Sequence, residues 1–293
     1  SYPTWKYLKP PPRRCVKGPR ARVSSMSSGD TLESSSPRRL RLTVLGSGTS
    51  MGVPTLACHC DVCRSKDPHD RRTRPSVLLS YHGRNVAIDT TPDFRFQALQ
   101  SGLERLDAIL YTHGHADHIL GLDDIRPFNL KQNSAVPIFA SEDTLAILRR
   151  TFAYIFAPPS LESSLPQVEL HAIDGAFELF GTQIIPFPAH HGSVTVHGFR
   201  IGSIAYLTDF NTVPQASKDL LRGLDHLILD ALRYTPHPMH STVEQSLALV
   251  RELAPRHAWF THICHDLGHA ATNARLPQNV RLAYDGLTFE VDL

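Results

Sequence analysis

The 293 residues contain few long apolar side chains in sequence: no run approaches the 18 or so residues that a membrane span needs, and no apolar segment of secretory-signal type is present. Cysteine is sparse, five in all, which in a chain without a secretory signal argues for reduced thiols rather than a disulfide frame, and hence for a cytoplasmic setting. Net charge is nearly absent too, at +2 with histidine neutral, but the total conceals a division. Residues 1–39 carry nine basic and two acidic side chains, leaving 21 basic against 26 acidic in residues 40–293, a body of net charge −5 that holds all 17 histidines. A histidine-rich, mildly acidic body is not built to grip polynucleotide phosphates, so nucleic acid is not an expected partner. No repeat of solenoid period occurs either.

What is present begins with a tail. Residues 1–39 have six prolines, eight serines and no helical or strand period, and read as an extended or disordered segment. Its basic, serine-containing stretch before Asp30 is also how an organelle transit peptide looks, and one reading takes Met26 as the true start. From Leu40 to Leu293 the chain reads as one large domain of short β runs separated by turns. Strands are expected at 41–45, 76–81, 85–89, 108–111, 137–140, 168–173, 177–187, 198–201, 203–207, 226–229, 258–260 and 288–291. Helices are expected at 92–100, 122–130, 142–151, 215–222 and 241–253, the last opened by a Ser241-x-x-Glu244 capping box and faced inward by Leu247, Leu249, Val250 and Leu253. The mixture predicts an α/β sandwich with helices outside.

The most informative segment is His113-Gly-His115-Ala-Asp117-His118, four possible ligands directly after an apolar strand. Neutral imidazoles with a carboxylate suit zinc, or manganese and iron with more oxygen in the shell. Three thiols stand in Cys58-His-Cys60-Asp-Val-Cys63, a loop that supplies three of the four ligands of a closed tetrahedral zinc site; His59, Cys264 and His265 are candidates for the fourth. The alternative is a reduced thiol cluster without metal.

The His-x-His-x-Asp-His string resembles the signature of the metallo-β-lactamase superfamily, and other residues follow in that family's order: Asp89 ending Val86-Ala-Ile-Asp89, His191 in Pro188-Ala-His-His-Gly192, Asp209 in Ala205-Tyr-Leu-Thr-Asp209 and His262 in Trp259-Phe-Thr-His262. The resemblance implies an αββα sandwich with a dinuclear metal site at its edge. It implies one divalent metal, Zn or Mn, on His113, His115 and His191, and another on Asp117, His118 and His262. Asp209 would be shared between them, and Asp117 counted among the catalytic residues. Asp89 would orient a ligand imidazole. His191 rather than His190 fits the family's register before Gly198.

Completion of the Cys-x-Cys-x-x-Cys loop by a histidine three residues after the last ligand resembles the branch containing the phosphoribosyl 1,2-cyclic phosphate phosphodiesterase of the carbon–phosphorus lyase pathway. This assigns Cys58, Cys60, Cys63 and His265 to one structural zinc. Gly46-Ser-Gly-Thr-Ser-Met-Gly-Val-Pro54 resembles the branch's glycine-rich opening, which by itself is a weak signal for phosphate binding. Arg126 follows the metal loop as a contact for substrate phosphate, or as scaffolding paired with Asp123 or Asp124. His240 stands where the branch carries a non-ligand catalytic histidine, with helix capping as its competing role.

The implied activity is hydrolysis of a small phosphodiester, cyclic and phosphoribosyl- or nucleotide-like, by a hydroxide bridging the metals. An RNA-processing relative, a thioester hydrolase and a non-catalytic metabolite binder are the other readings; the last is disfavoured because none of the seven ligands is missing. Phe152, Tyr154, Ile155 and Phe156 could wall a substrate pocket, or serve as core or a homodimer contact.

Overall fold

The computed structural model describes residues 39–157 and 164–293. The expected tail lies outside the described residues except for Arg39, which is the first residue of the first strand rather than the last of the tail. One seven-stranded sheet contains β1 (Arg39–Gly46), β2 (Ser76–Tyr81), β3 (Arg84–Ile88), β4 (Ala108–Leu110), β5 (Val136–Ala140), β6 (Val168–Ala172) and β14 (Thr288–Asp292), in the order β14-β1-β2-β3-β4-β5-β6. The second contains β7 (Phe177–Leu179), β8 (Thr182–His191), β9 (Val194–Ile201), β10 (Ile204–Leu207), β11 (His226–Asp230), β12 (His257–Thr261) and β13 (Val280–Leu282), in the order β13-β12-β11-β10-β9-β8-β7.

Alternation along each strand builds three apolar layers. Val86, Ile88, Ala108 and Leu110 of the first sheet meet Ile184, Phe199, Tyr206 and Ile228 of the second, forming the central layer. The intervening residues Ala87, Ile109 and Ile138 face outward and are covered by α1 (Phe94–Gln100) and α4 (Glu142–Thr151), through Phe94, Leu145 and Leu148. On the other side Leu227, Leu229 and Phe260 are covered by α6 (Val243–Leu253), through Leu249, Val250 and Leu253. This is the αββα sandwich that the sequence implied.

Each expected strand exists, with one divided. The 177–187 run breaks at Phe180-Gly181, both left-handed (φ 52° and 76°), so that β7 and β8 pair as a two-residue hairpin. The missing cue is that Phe, unlike Asn or Asp, does not advertise a left-handed turn. Two single-turn helices, α2 (Ala116–Ile119) and α7 (His269–Asn273), and the three-residue β13 are too short to show a period. The expected 122–130 helix is a 3₁₀ turn at Leu122–Ile125 followed by α3 (Arg126–Gln132); α5 (Gln215–Leu220) lies where a helix was expected. At α6 the capping box is one residue later than expected: Thr242 Oγ1 accepts from Gln245 N (3.2 Å) and Thr242 N donates to Gln245 Oε1 (2.8 Å). Ser241 is instead buried, accepting from Ser246 Oγ at 2.8 Å.

Parallel pairing places several strand ends on one edge. β3, β4 and β5 run parallel in the first sheet, and β10, β11, β12 and β13 in the second. One residue past β3, two past β10 and one past β12 stand Asp89, Asp209 and His262, all with left-handed backbone (φ 64°, 53° and 56°). For non-glycine residues that conformation is costly and turns the chain sharply, which aims the three side chains along the sandwich edge.

Candidate metal centre

His113 and His115 leave the end of β4 through the turn preceding α2, with Gly114 between them. A Cβ at Gly114 would lie 2.6 Å from Ile147 Cδ1, so glycine lets the loop rest on α4 without displacing the Ile147 side chain. His113 Nε2 lies 2.9 Å from His115 Nδ1, and both converge with His191 of β8 into one group of potential ligand atoms. Asp117, His118, Asp209 and His262 converge into a second. Asp209 reaches both: its Oδ1 is 3.4 Å from His118 Nε2, and its Oδ2 lies 3.3 Å from His262 Nε2 and 3.9 Å from His191 Nε2. Asp117 Oδ2 stands 3.3 Å from His118 Nε2 and 3.8 Å from His262 Nε2.

His190 and His191 are adjacent on an extended strand and point to opposite faces, which separates the two candidates: His190 is exposed and His191 buried. His191 Nδ1 donates to Met239 O at 2.7 Å, leaving Nε2 for the centre. His118 is fixed in the same manner. Its Nδ1 donates to Asp89 Oδ2 at 2.7 Å, while Thr112 donates to the two Asp89 oxygens from Oγ1 (2.8 Å) and N (2.9 Å). Asp89 therefore fixes which nitrogen His118 presents to its group.

Sequence reasoning missed Asp230, which ends Leu227-Ile-Leu-Asp230 as Asp89 ends Val86-Ala-Ile-Asp89; that apolar strand closing on aspartate was the available cue. Asp230 is fully buried and accepts from His240 Nδ1 at 2.8 Å. His240 lies over both groups, stacked on the His262 ring (centroids 4.6 Å, 14°) and edge-on to His191 (4.5 Å).

The electrostatics are those of a centre that demands positive charge. Burial, and next the neighbouring His118, hold His113 well below the usual imidazole range; burial chiefly lowers His191 to about 4. Burial also opposes charge on His118 and His262, yet Asp209 and Asp117 overcome it, lifting His118 well above its ordinary value and His262 to about 9. Among the described residues, Asp117 Oδ2, His118 Nε2 and His262 Nε2 are buried without a hydrogen-bond partner, although burying such atoms unpaired is costly. These orphaned, mutually facing donors fit divalent metal ions.

A separate cluster forms at the opposite end of the His262 loop. Cys58, Cys60 and Cys63 Sγ lie 3.1, 3.5 and 3.5 Å from His265 Nδ1. A tetrahedron with Zn–S near 2.3 Å and Zn–N near 2.0 Å has S···N edges of about 3.5 Å, so the donors fit a zinc ion. His59 is exposed, and Cys264 Sγ accepts from Asp266 N at 3.4 Å instead of joining the group. The Cys63 backbone N–H lowers the Cys60 thiol to about 7, whereas burial raises Cys63 to about 11.

Two sequence candidates are engaged within the fold itself. Arg126 pairs with Asp123 at 2.7 Å and lines a groove between α1 and α3 whose walls contain none of the proposed ligands. In the glycine-rich opening the Ser47, Gly48, Thr49, Gly52 and Val53 amides donate to Asp285, Thr73, Ile263, Thr49 and Arg72, so none of these five is free for a phosphate. Of the aromatic stretch Phe152 is core, while Tyr154 donates to Asp123 Oδ1 at 2.6 Å.

Residues 84–263 match the family described as "Beta-lactamase superfamily domain". The crystal structure of a diphosphatase from the PhnP family is 54% identical, with TM-score 0.82, covering 87% of this chain and 98% of that one. An octanoyltransferase of Porphyromonas gingivalis is 36% identical over 261 residues, 86% of this chain but 52% of the relative. Zn²⁺-bound PqqB from Methylobacterium extorquens shares the fold at 20% identity, with TM-score 0.69, over 85% of this chain and 99% of that one. The chain spans about half the length of the curated relatives it matches.

Proposed function

Since the chain belongs to the metallo-β-lactamase superfamily, we propose that it is a metal-dependent hydrolase that cleaves a P–O bond in a small phosphodiester, cyclic and phosphoribosyl- or nucleotide-like. The observation that carries this reading is the pair of donor groups sharing Asp209, with His240 set above both and held by Asp230. The 54% identical neighbour, a diphosphatase, supports phosphorus as the reacting centre. The octanoyltransferase is nearly twice as long as the stretch it shares with this chain, so its activity need not reside there. The net charge of −5 on residues 40–293 favours a small substrate over RNA.

His113, His115 and His191 would hold one divalent metal, and Asp117, His118 and His262 a second, with Asp209 contributing to both. Metals so held supply Lewis-acid chemistry, making a water nucleophilic near neutral pH and polarising a phosphoryl oxygen. Asp89 and Met239 O fix which nitrogen His118 and His191 present. His240, its Nδ1–H committed to Asp230, turns Nε2 toward the substrate. From there the doubly protonated ring, with Asp230 as its counter-ion, hydrogen-bonds the phosphoryl group and gives its Nε2 proton to the leaving oxygen as that P–O bond breaks and the bond from the water oxygen to phosphorus forms.

Asp117→Asn and His115→Ala are expected to abolish turnover of bis-p-nitrophenyl phosphate while the circular dichroism spectrum stays that of the folded chain. Full activity in either variant would overturn the assignment. Parallel assays with ribose 1,2-cyclic phosphate, a 2′,3′-cyclic nucleotide and a dinucleoside diphosphate, in zinc and in manganese, test the substrate class. Turnover of the diphosphate alone would replace the cyclic phosphodiester.

A further inference from the structure

The loop that follows β12 carries His262 toward one cluster and His265 toward the other, and it is fastened by a residue outside both. Arg72 is fully buried, and its guanidinium bridges two carbonyls of that loop: Nη1 donates to Cys264 O (3.1 Å) and Nη2 to Leu267 O (2.6 Å). Nη2 also pairs with Asp70 Oδ1 (2.9 Å), which in turn accepts from His269 N (2.8 Å), and Nε donates to His69 O (3.2 Å). A buried ion pair is a poor source of net stability, because desolvating both charges offsets their attraction; its use here is in fixing where two segments meet. Three further contacts hold the same stretch from other sides: Ile263 N donates to Ser47 O, Thr49 N to Ile263 O, and Cys264 N to Leu232 O. Gly48 permits the approach, since a Cβ there would lie 2.8 Å from Arg72 O.

We propose that Arg72 is a positioning residue for the second metal group: by clamping Cys264 and Leu267 it holds the loop in which His262 keeps its left-handed backbone (φ 56°) and aims Nε2 at Asp117 and Asp209. The same clamp ties the segment of His69 and Asp70 to the loop that carries His262. This inference rests on the metal-binding reading of the His/Asp groups.

Cobalt(II) titration of the full chain tests it, because thiolate-to-cobalt charge-transfer absorption reports the cysteine cluster separately from visible bands of the His/Asp groups. Wild-type protein is expected to bind cobalt in both; failure to bind in the His/Asp groups would overturn the metal reading itself. Arg72→Met keeps the apolar stem but removes the guanidinium. It is expected to retain the charge-transfer band while weakening one His/Asp-site cobalt by roughly 10- to 100-fold, the usual effect of losing a ligand's outer support. Should Arg72→Met fail to fold, Arg72→Lys keeps the charge against Asp70 but cannot bridge both carbonyls, and a smaller loss at the same site is expected. Wild-type cobalt affinity at both His/Asp groups in a folded Arg72 variant would overturn the proposal, since a purely structural role would lower only the unfolding temperature.

Discussion

Asp89 and Asp230 show how much work is done by residues that would touch neither metal nor substrate. Each is a fully buried carboxylate at the end of an apolar strand, and each accepts from the Nδ1 of a site histidine. Replacing Asp230 with Asn exchanges an ion-assisted hydrogen bond for a neutral one and lets the His240 ring turn. We expect kcat to fall by roughly 10²-fold, within the range of a general acid's contribution, with the metal content of the His/Asp groups unchanged by elemental analysis. Loss of metal instead would show that Asp230 supports His262. Metal counting also tests the cysteine cluster. About three metals per chain are expected, with one resisting mild chelation because thiolates hold it, and Cys63→Ala should remove that one alone. The histidines and cysteines of these clusters were legible in sequence because their chemistry is rare and their spacing short. Arg72 and Asp70 were not, since a buried Arg–Asp pair has the same letters as an exposed one.

At the level of elements, strands were legible where alternation ran for four residues or more, and illegible where a turn was made by an unusual residue. The α6 cap illustrates the limit. Ser241-x-x-Glu244 and Thr242-x-x-Gln245 both satisfy the capping-box pattern, and the choice falls to Thr242 because Ser241 is drawn into a buried bond with Ser246, whose own hydroxyl reaches Asp230 O. Thr242→Ala is therefore expected to cost about 1 kcal/mol in urea unfolding. Glu244→Ala, which removes only an exposed pair with Arg251, should stay within about 0.5 kcal/mol. Equal losses would mean that both frames cap the helix. The left-handed residues at the ends of β3, β10 and β12 belong to this scale as well, since the backbone turn and the aim of the side chain are one feature.

For the whole molecule, acid stability follows from a half-buried histidine, His226, and a buried one, His269, outside the candidate metal centre. His226 accepts from Trp259 Nε1 at 3.0 Å and stacks on Phe289 (4.1 Å), and burial, followed by the adjacent His257, lowers it to about 4; burial and the nearby His69 do the same to His269. Both are neutral when folded and bind a proton near 6.5 when unfolded, so the unfolded state takes up more protons between those values. Stability is expected to be full above about pH 6.5 and to decline as the pH falls toward 4, a slope that His226→Gln should reduce in urea titrations. An unchanged slope would remove His226 from that account. By itself the sequence determined the sandwich and which histidines, aspartates and cysteines make up the clusters, because apolar periodicity and runs of histidine, aspartate and cysteine are local signals. Only the tertiary structure decided which of His190 and His191 faces inward, that Arg126 pairs with Asp123, that the glycine-rich amides are already bonded, and that Asp230 and Arg72 support the site. Those outcomes depend on which segments, far apart along the chain, are pressed together when both sheets close on their common layer.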